Sequence, residues 1–332
     1  MNRPHPSILR RLTGNRDAIL GASTLLLLAA VALRFPQFAR ADSLLGSFDD
    51  SSILILMALG QMAVLLTRSI DLSVAANVAL SGMSAALLNQ AYPGAPILMV
   101  AALAMFIGAT LGLVNGLLVW LLHVPSIVVT LGTMAIFRGA VYLLSGGAWV
   151  TSSAMTAAFQ SAVRAKWLGI TTLSWLAVAG VLAAYLFLNY TAPGRRLFMA
   201  GSNPAAAAYV GVKVGRAQCL AFTISGAIAG LCGYLWVSRF AVAYTDVALG
   251  FELQVIAACV IGGVSIAGGL GTVLGVLLGC LFLGIIKNAL PLIGISPFWQ
   301  MAVSGLVIVV AVIINARSQG ASERHILQRP HA

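Results

Sequence analysis

The chain has 332 residues and a formal net charge of +11, with 60% hydrophobic and only 8% charged residues, and its mean hydropathy is +1.00. Soluble domains carry about 25% charged residues, so a chain this poor in ions cannot cover itself in water, and it reads as a polytopic helical membrane protein. The positive balance then belongs to loops on the cytoplasmic side rather than to a nucleic-acid interface, and no nucleic acid is expected as partner.

Residues 1–17 carry Arg3, Arg10, Arg11 and Arg16 ahead of an apolar run at 18–34. That run is followed by Arg34-Phe35-Pro36 and not by a small-x-small cleavage pattern, so it is expected to stay as a first span. Crossing about 30 Å of hydrocarbon takes about 20 apolar residues. Further runs lie at 51–67, 72–90, 97–121, 124–144, 171–189, 217–238, 253–268, 270–287 and 297–315, giving about ten expected spans. Gly262, Gly263, Gly268, Gly269 and Gly271 interrupt the eighth and ninth, so one or two segments are expected to be broken or re-entrant. No long period-2 alternation argues for an outer-membrane barrel. The expected fold is all-α, a transmembrane bundle forming a single domain over 1–332.

Placing the N-terminus inside and alternating across ten spans puts twelve of the 19 basic residues inside and six outside, with Arg138 within a span. This split places both termini in the cytoplasm, including a tail at 316–332, together with the long loop 190–216. The loop 145–170, with Trp149 and Trp167, falls outside.

Within the chain, Cys219, Cys232, Cys259 and Cys280 each sit in an apolar run with no CxxC or Cys/His spacing, so they read as buried hydrophobes and no metal site is expected. Glycines four apart at Gly108, Gly112, Gly116 and at Gly271, Gly275, Gly279 let helix backbones approach closely, most simply within one subunit. Arg68 and Asp71 have the spacing of a local ion pair at a tight turn. Arg138 inside a span needs a partner or water. With Asn77, Asn115 and Asn288 it forms a candidate path for a polar, uncharged cargo such as a sugar, although each asparagine alone more often ties helices together.

The inside loop contains an N-cap, Asn203, then Pro204 at the first helical position, four alanines, and Gly211 to close the helix. About two turns, roughly 10 Å, result. Both a docking element for a cytoplasmic partner and a plain connector fit this description. Catalytic chemistry is absent. The three lysines follow Ala165, Val212 and Ile286, so none completes a P-loop, and the acids form no catalytic or metal-binding pattern.

Four stretches in order resemble the membrane subunits of bacterial ABC sugar importers of the ribose/autoinducer-2 type. They are Leu66-Thr67-Arg68-Ser69-Ile70-Asp71-Leu72-Ser73-Val74, Val124-Pro125-Ser126-Ile127-Val128-Val129-Thr130-Leu131-Gly132-Thr133, the segment 194–211, and the Gly-rich segment 257–269. Within that family, residues 233–244 and 295–300 look most like rhamnose-importer permeases. The resemblance implies a single permease domain in the bacterial inner membrane that imports a neutral monosaccharide. It also implies a second permease subunit, a periplasmic sugar-binding protein, and cytoplasmic ATP-binding subunits that hold the ATP and magnesium, this chain binding no cofactor. The helix within 194–212 would dock on the ATPase through Gly201, Asn203, Pro204, Ala206, Ala207 and Gly211. Ala75-Ala76-Asn77 departs from the small polar residues the family carries there. The rival readings are an ion- or proton-coupled secondary sugar transporter and a membrane-integral enzyme or scaffold. The first lacks a mid-membrane acid, and the second lacks a nucleophile–base pair.

Overall fold

The computed structural model describes residues 16–294 and, beyond them, residues 299, 302, 305, 306 and 309. Residues 1–15, most of the expected span 297–315, the tail 316–332 and most of the stretch 295–300 lie outside the described residues.

The described chain runs up and down through long helices: α1 (Arg16–Arg34), α2 (Ala41–Leu66), α3 (Val74–Ala91), α4 (Ile97–Leu122) and α5 (Ser126–Ser145). A short α6 (Ala157–Ser161) and a hairpin of two-residue strands, β1 (Lys166–Trp167) and β2 (Ile170–Thr171), precede α7 (Thr172–Tyr190). Leu168 and Gly169 turn that hairpin with φ of 53° and 82°, the positive pair a two-residue turn requires. Then follow α8 (Ala192–Ser202), α9 (Pro204–Tyr209), α10 (Val214–Phe240), α11 (Phe251–Ile261) and α12 (Val273–Ala289).

Among the described residues seven helices are long and apolar enough to cross a membrane: α1, α2, α4, α5, α7, α10 and the stretch continuing α12 to Leu292. Nine of the ten expected runs therefore fall on helices in the expected order. The eighth is the exception in length. At 11 residues α11 extends only about 16 Å. The chain after it turns through Gly263, Gly268 and Gly269, whose φ values of 83°, 86° and 73° no helix can continue. The expected interruption is therefore a half-length helix followed by an elbow.

Helix α10 occupies the centre, against α4, α3 and α2. A methyl group on Gly108 would lie 2.3 Å from the Gly226 carbonyl oxygen, and one on Gly112 would lie 2.2 Å from that of Phe222. The first glycine ladder thus forms a backbone-to-backbone seam between α4 and α10, inside one subunit. The second ladder is shorter than its spacing predicts. Gly275 and Gly279 pack on Gly262 and Ala258, whereas Gly271 precedes α12 in the elbow with φ of 156°. All four cysteines are free and buried. Helix α1 stands at the edge with Thr24 as its buried residue.

The alternation gives the bundle two ends. One collects the α2–α3, α4–α5 and α11–α12 connections with α8 and α9. The other collects the α1–α2, α3–α4, α5–α7 and α10–α11 connections.

Candidate functional site

At the first end Thr191 accepts a hydrogen bond from Gly194 N at 3.1 Å and starts α8. Asn203 breaks the helix with an extended backbone (φ −150°), and its Oδ1 accepts from Ala206 N at 3.0 Å to start α9. Helix α9 closes as its cap residues predict. Gly211 takes φ of 82°, Gly211 N donates to Ala208 O at 3.0 Å, and Val212 N donates to Ala207 O at 2.9 Å. The result is a two-turn helix closed at both ends by its own residues.

Its faces differ. Ala205, Ala206, Ala208, Tyr209 and Val210 are exposed, Tyr209 at 93%, whereas Ala207 is buried at 4%. Gly201 is buried as well, and a methyl there would lie 1.8 Å from the Leu66 carbonyl oxygen. Of the six expected docking residues, Gly201 and Ala207 therefore face the protein's own body, and Ala206 stands on the open face. Ala206 and Ala207, both among the expected docking residues, thus lie on different faces of α9. Exposed Arg195, Arg196, Lys213 and Arg216 frame the helix.

Behind α9 three loops interlock. Gly269 N donates to Leu66 O at 3.0 Å. Arg68 Nε donates to Gly201 O at 2.5 Å, and its terminal nitrogen donates to Ser202 O at 2.9 Å. Arg68 and Asp71 form no ion pair, against the expectation from their spacing. The arginine is spent on the Gly201 and Ser202 carbonyls, and Asp71 Oδ1 accepts from Ser73 N at 2.9 Å and Ser73 Oγ at 2.7 Å. Asp71 is thereby a buried brace for the start of α3.

A polar seam continues inward from this point. Asn115 Nδ2 donates to Ser73 Oγ at 2.8 Å, and Asn115 Oδ1 is buried without a partner. Asn77 donates to Gly108 O at 3.1 Å and accepts from Ser81 Oγ at 3.0 Å, tying α3 to α4. Ile70 N donates to Ser126 Oγ at 3.0 Å, and Thr130 Oγ1 donates to Ile70 O at 3.3 Å, fastening the start of α5 to the same elbow. Gln61, with its amide turned to suit its neighbours, exchanges two 3.2 Å hydrogen bonds with the Asp71 backbone.

The four residues of the expected cargo path do not converge. Asn77 and Asn115 belong to this packed seam. Arg138 lies further along α5 and donates to Thr245 O at 3.0 Å and Val247 O at 2.8 Å. Asn288 lines a separate cavity of about 40 Å³ with Asp50, Gln254 and Lys287. Gln61, Ser73 and Thr130 escaped sequence reading because a buried hydroxyl or amide in an apolar run has no spacing signature. Two of the three, Ser73 and Thr130, lie within the stretches that carry the family resemblance.

The opposite end is held by side chains. Arg239 pairs with Asp49 at 3.0 Å and Asp50 at 2.5 Å. Trp149 and Tyr244 stack with centroids 5.3 Å apart, beside a backbone bridge between Val150 and Ala243. Among the described residues no three His, Cys, Asp or Glu side chains gather to hold a metal ion.

Comparison with known proteins adds a consistent picture. A family model described as "Branched-chain amino acid transport system / permease component" matches residues 43–312. The "Autoinducer 2 import system permease protein LsrC" of Enterobacter sp. (strain 638) is 36% identical over 318 residues, 96% of this chain and 91% of that protein. The protein of the same name from Klebsiella pneumoniae is 37% identical over the same shares. That from Photorhabdus laumondii is 32% identical over 98% of this chain and 96% of its own length. No solved structure matches the chain.

Proposed function

The chain belongs to the branched-chain amino acid transport system / permease component family, as a permease of the ribose/autoinducer-2 type of ABC sugar importer, and from this we propose that it moves a neutral, hydroxyl-rich small molecule inward across the bacterial inner membrane by alternating access. The observation that carries the reading is the closed, outward-facing helix α9, anchored on the bundle by Gly201 and Ala207 and framed by four cations. A membrane subunit needs such an element to receive force from a separate ATPase, since no lysine of this chain completes a P-loop.

In this reading the end bearing α9 is cytoplasmic, and both termini lie on that side. Two ATP-binding subunits hold the ATP and magnesium, a second permease completes the pathway, and a periplasmic binding protein delivers cargo. A neutral cargo agrees with an interior whose polar side chains are chiefly Asn, Gln, Ser and Thr. Asp71, the buried acid that a proton-coupled carrier would use, is instead engaged by Ser73 at the start of α3. For the cargo itself, the relatives' names point to autoinducer 2, and the stretch 233–244 points to rhamnose or a similar monosaccharide.

The test is uptake of labelled autoinducer 2, rhamnose and ribose by cells with and without the gene, under ATP depletion and under collapse of the proton gradient. Gene-dependent uptake of one of these that requires ATP supports the reading. Uptake that survives ATP depletion and fails with the gradient replaces it with a secondary carrier.

A further inference from the structure

Arg68 adopts a left-handed backbone, φ 60°. A non-glycine residue is strained there and persists where its surroundings over-determine it. Glycine would take the same conformation freely. What sets Arg68 apart is that its side chain's contacts are specific. The guanidinium spans the two carbonyls that end α8, Gly201 O and Ser202 O, where the helix dipole favours a cation. From the other side, a methyl on Gly268 would lie 2.4 Å from Arg68 Cγ, so the α11–α12 elbow closes over the arginine stem. Gly269 completes the contact, its N–H donating to Leu66 O and its α-carbon facing the Ser202 backbone.

One side chain thus touches two segments far from it in sequence, residues 201–202, which lie 133 and 134 residues away, and Gly268 of the elbow. On the far side of the same elbow, Ile70 is bound to Ser126 and Thr130 of α5, and Asp71 braces α3. We propose that Arg68 is the strut that transmits displacement of α9 to the start of α3 and α5, so that the docking loop and both elbows move as one body. This rests on the reading of α9 as the ATPase contact. Arg68 is a positioning residue here. It is exposed at this end of the bundle, with its guanidinium held on Gly201 O and Ser202 O.

The geometry makes a selective test available. Arg68→Gly removes the strut and keeps the left-handed backbone without strain, so the bundle should still assemble. Arg68→Lys keeps the charge but replaces a two-point fork with a single ammonium group. Each variant is expressed with the ATPase and binding protein, and four quantities are read: amount in the membrane, co-purifying ATPase, ATP hydrolysis with and without loaded binding protein, and uptake. Arg68→Gly is expected at wild-type level in the membrane, with ATPase bound and basal hydrolysis retained. Uptake should fall tenfold or more, and stimulation of hydrolysis by loaded binding protein should be lost. Arg68→Lys should recover part of both. The proposal is overturned if uptake and stimulation in Arg68→Gly stay within twofold of wild type. It is equally overturned if that variant fails to accumulate, or accumulates but loses its ATPase, since Arg68 would then only shape the fold or the docking surface. Failure of the wild-type chain to hold any ATPase would instead sink the docking reading itself.

Discussion

The two ends of the bundle are joined in different ways. At the end bearing α9 the contacts converge on backbone atoms: the Leu66 carbonyl takes the Gly269 N–H, the Gly201 and Ser202 carbonyls take the Arg68 guanidinium, and glycines, where a methyl group would clash, let these segments approach. At the opposite end charged and aromatic side chains predominate, with Arg239 between Asp49 and Asp50, Trp149 beside Tyr244, and Arg138 on carbonyls of the segment after α10, next to one backbone bridge between Val150 and Ala243. Where backbone meets backbone, as at Gly201 on Leu66 and Gly269 on Ser202, there is little slack, because interiors are close-packed and a displacement of one segment is felt by the next. Side-chain contacts can break and re-form by rotamer changes. On the proposed reading, the first end transmits and the second opens.

The sharpest way to break this contrast is to add atoms where the backbones meet. Gly201→Val would drive a side chain into the Leu66 carbonyl, a rigid neighbour, and overpacking commonly costs about 1–3 kcal/mol and sometimes more. We expect membrane levels of this variant to drop severely by immunoblot. Normal levels and normal uptake would show that the docking end has the slack denied to it here.

Orientation supplies an all-or-none check of a different kind. Reporter fusions at Ser202 should behave as cytoplasmic, and a fusion within 150–165 as periplasmic. Reversed signals would exchange the roles of the two ends.

A smaller effect is expected at the side-chain end. Arg239 and Asp49 are mostly but not wholly buried, with side-chain exposures of 16% and 18%. Removing the arginine should therefore cost about 1–3 kcal/mol, between the values for exposed and fully buried pairs. Arg239→Ala should lower the thermal unfolding temperature in detergent by a few degrees while leaving the ATPase bound. Loss of the ATPase in this variant would mean that the two ends are not separable. The smallest effect belongs to Gly94→Ala, where nothing lies within 4 Å of the added methyl. Stability and uptake should match wild type, and a measurable loss would show that this end is as tightly built as the other.

Sequence carried the architecture well because the signals for it are local. Apolar length located the helices, and Asn203, Pro204 and Gly211 placed both ends of α9 through caps that depend only on neighbours in the chain. Spacing misled where a partner lies far away in sequence. Arg68 stands three residues from Asp71, yet its hydrogen bonds go to residues 201 and 202, and no local rule contains that contact. The same holds for Ala207, whose burial depends on how α9 lies on the bundle, and for Gly271, which spacing alone joined to a helix that begins two residues later. The candidate cargo path was the least legible part. Asparagine in a span has one appearance whether it lines a path or ties helices; in the fold Asn77 bonds the Gly108 carbonyl of α4 and Asn115 bonds Ser73.

The most direct test of the account uses the two alanines that the fold separates. Ala206 is exposed on the open face of α9, and Ala207 is buried beneath it. Ala206→Glu adds volume and an ion only to the open face, so the variant should reach the membrane at wild-type level, fail to co-purify with the ATPase, and lose uptake. Wild-type transport by an Ala206→Glu protein that inserts normally would contradict the account, because α9 would then be a connector and the force from ATP would enter the permease elsewhere.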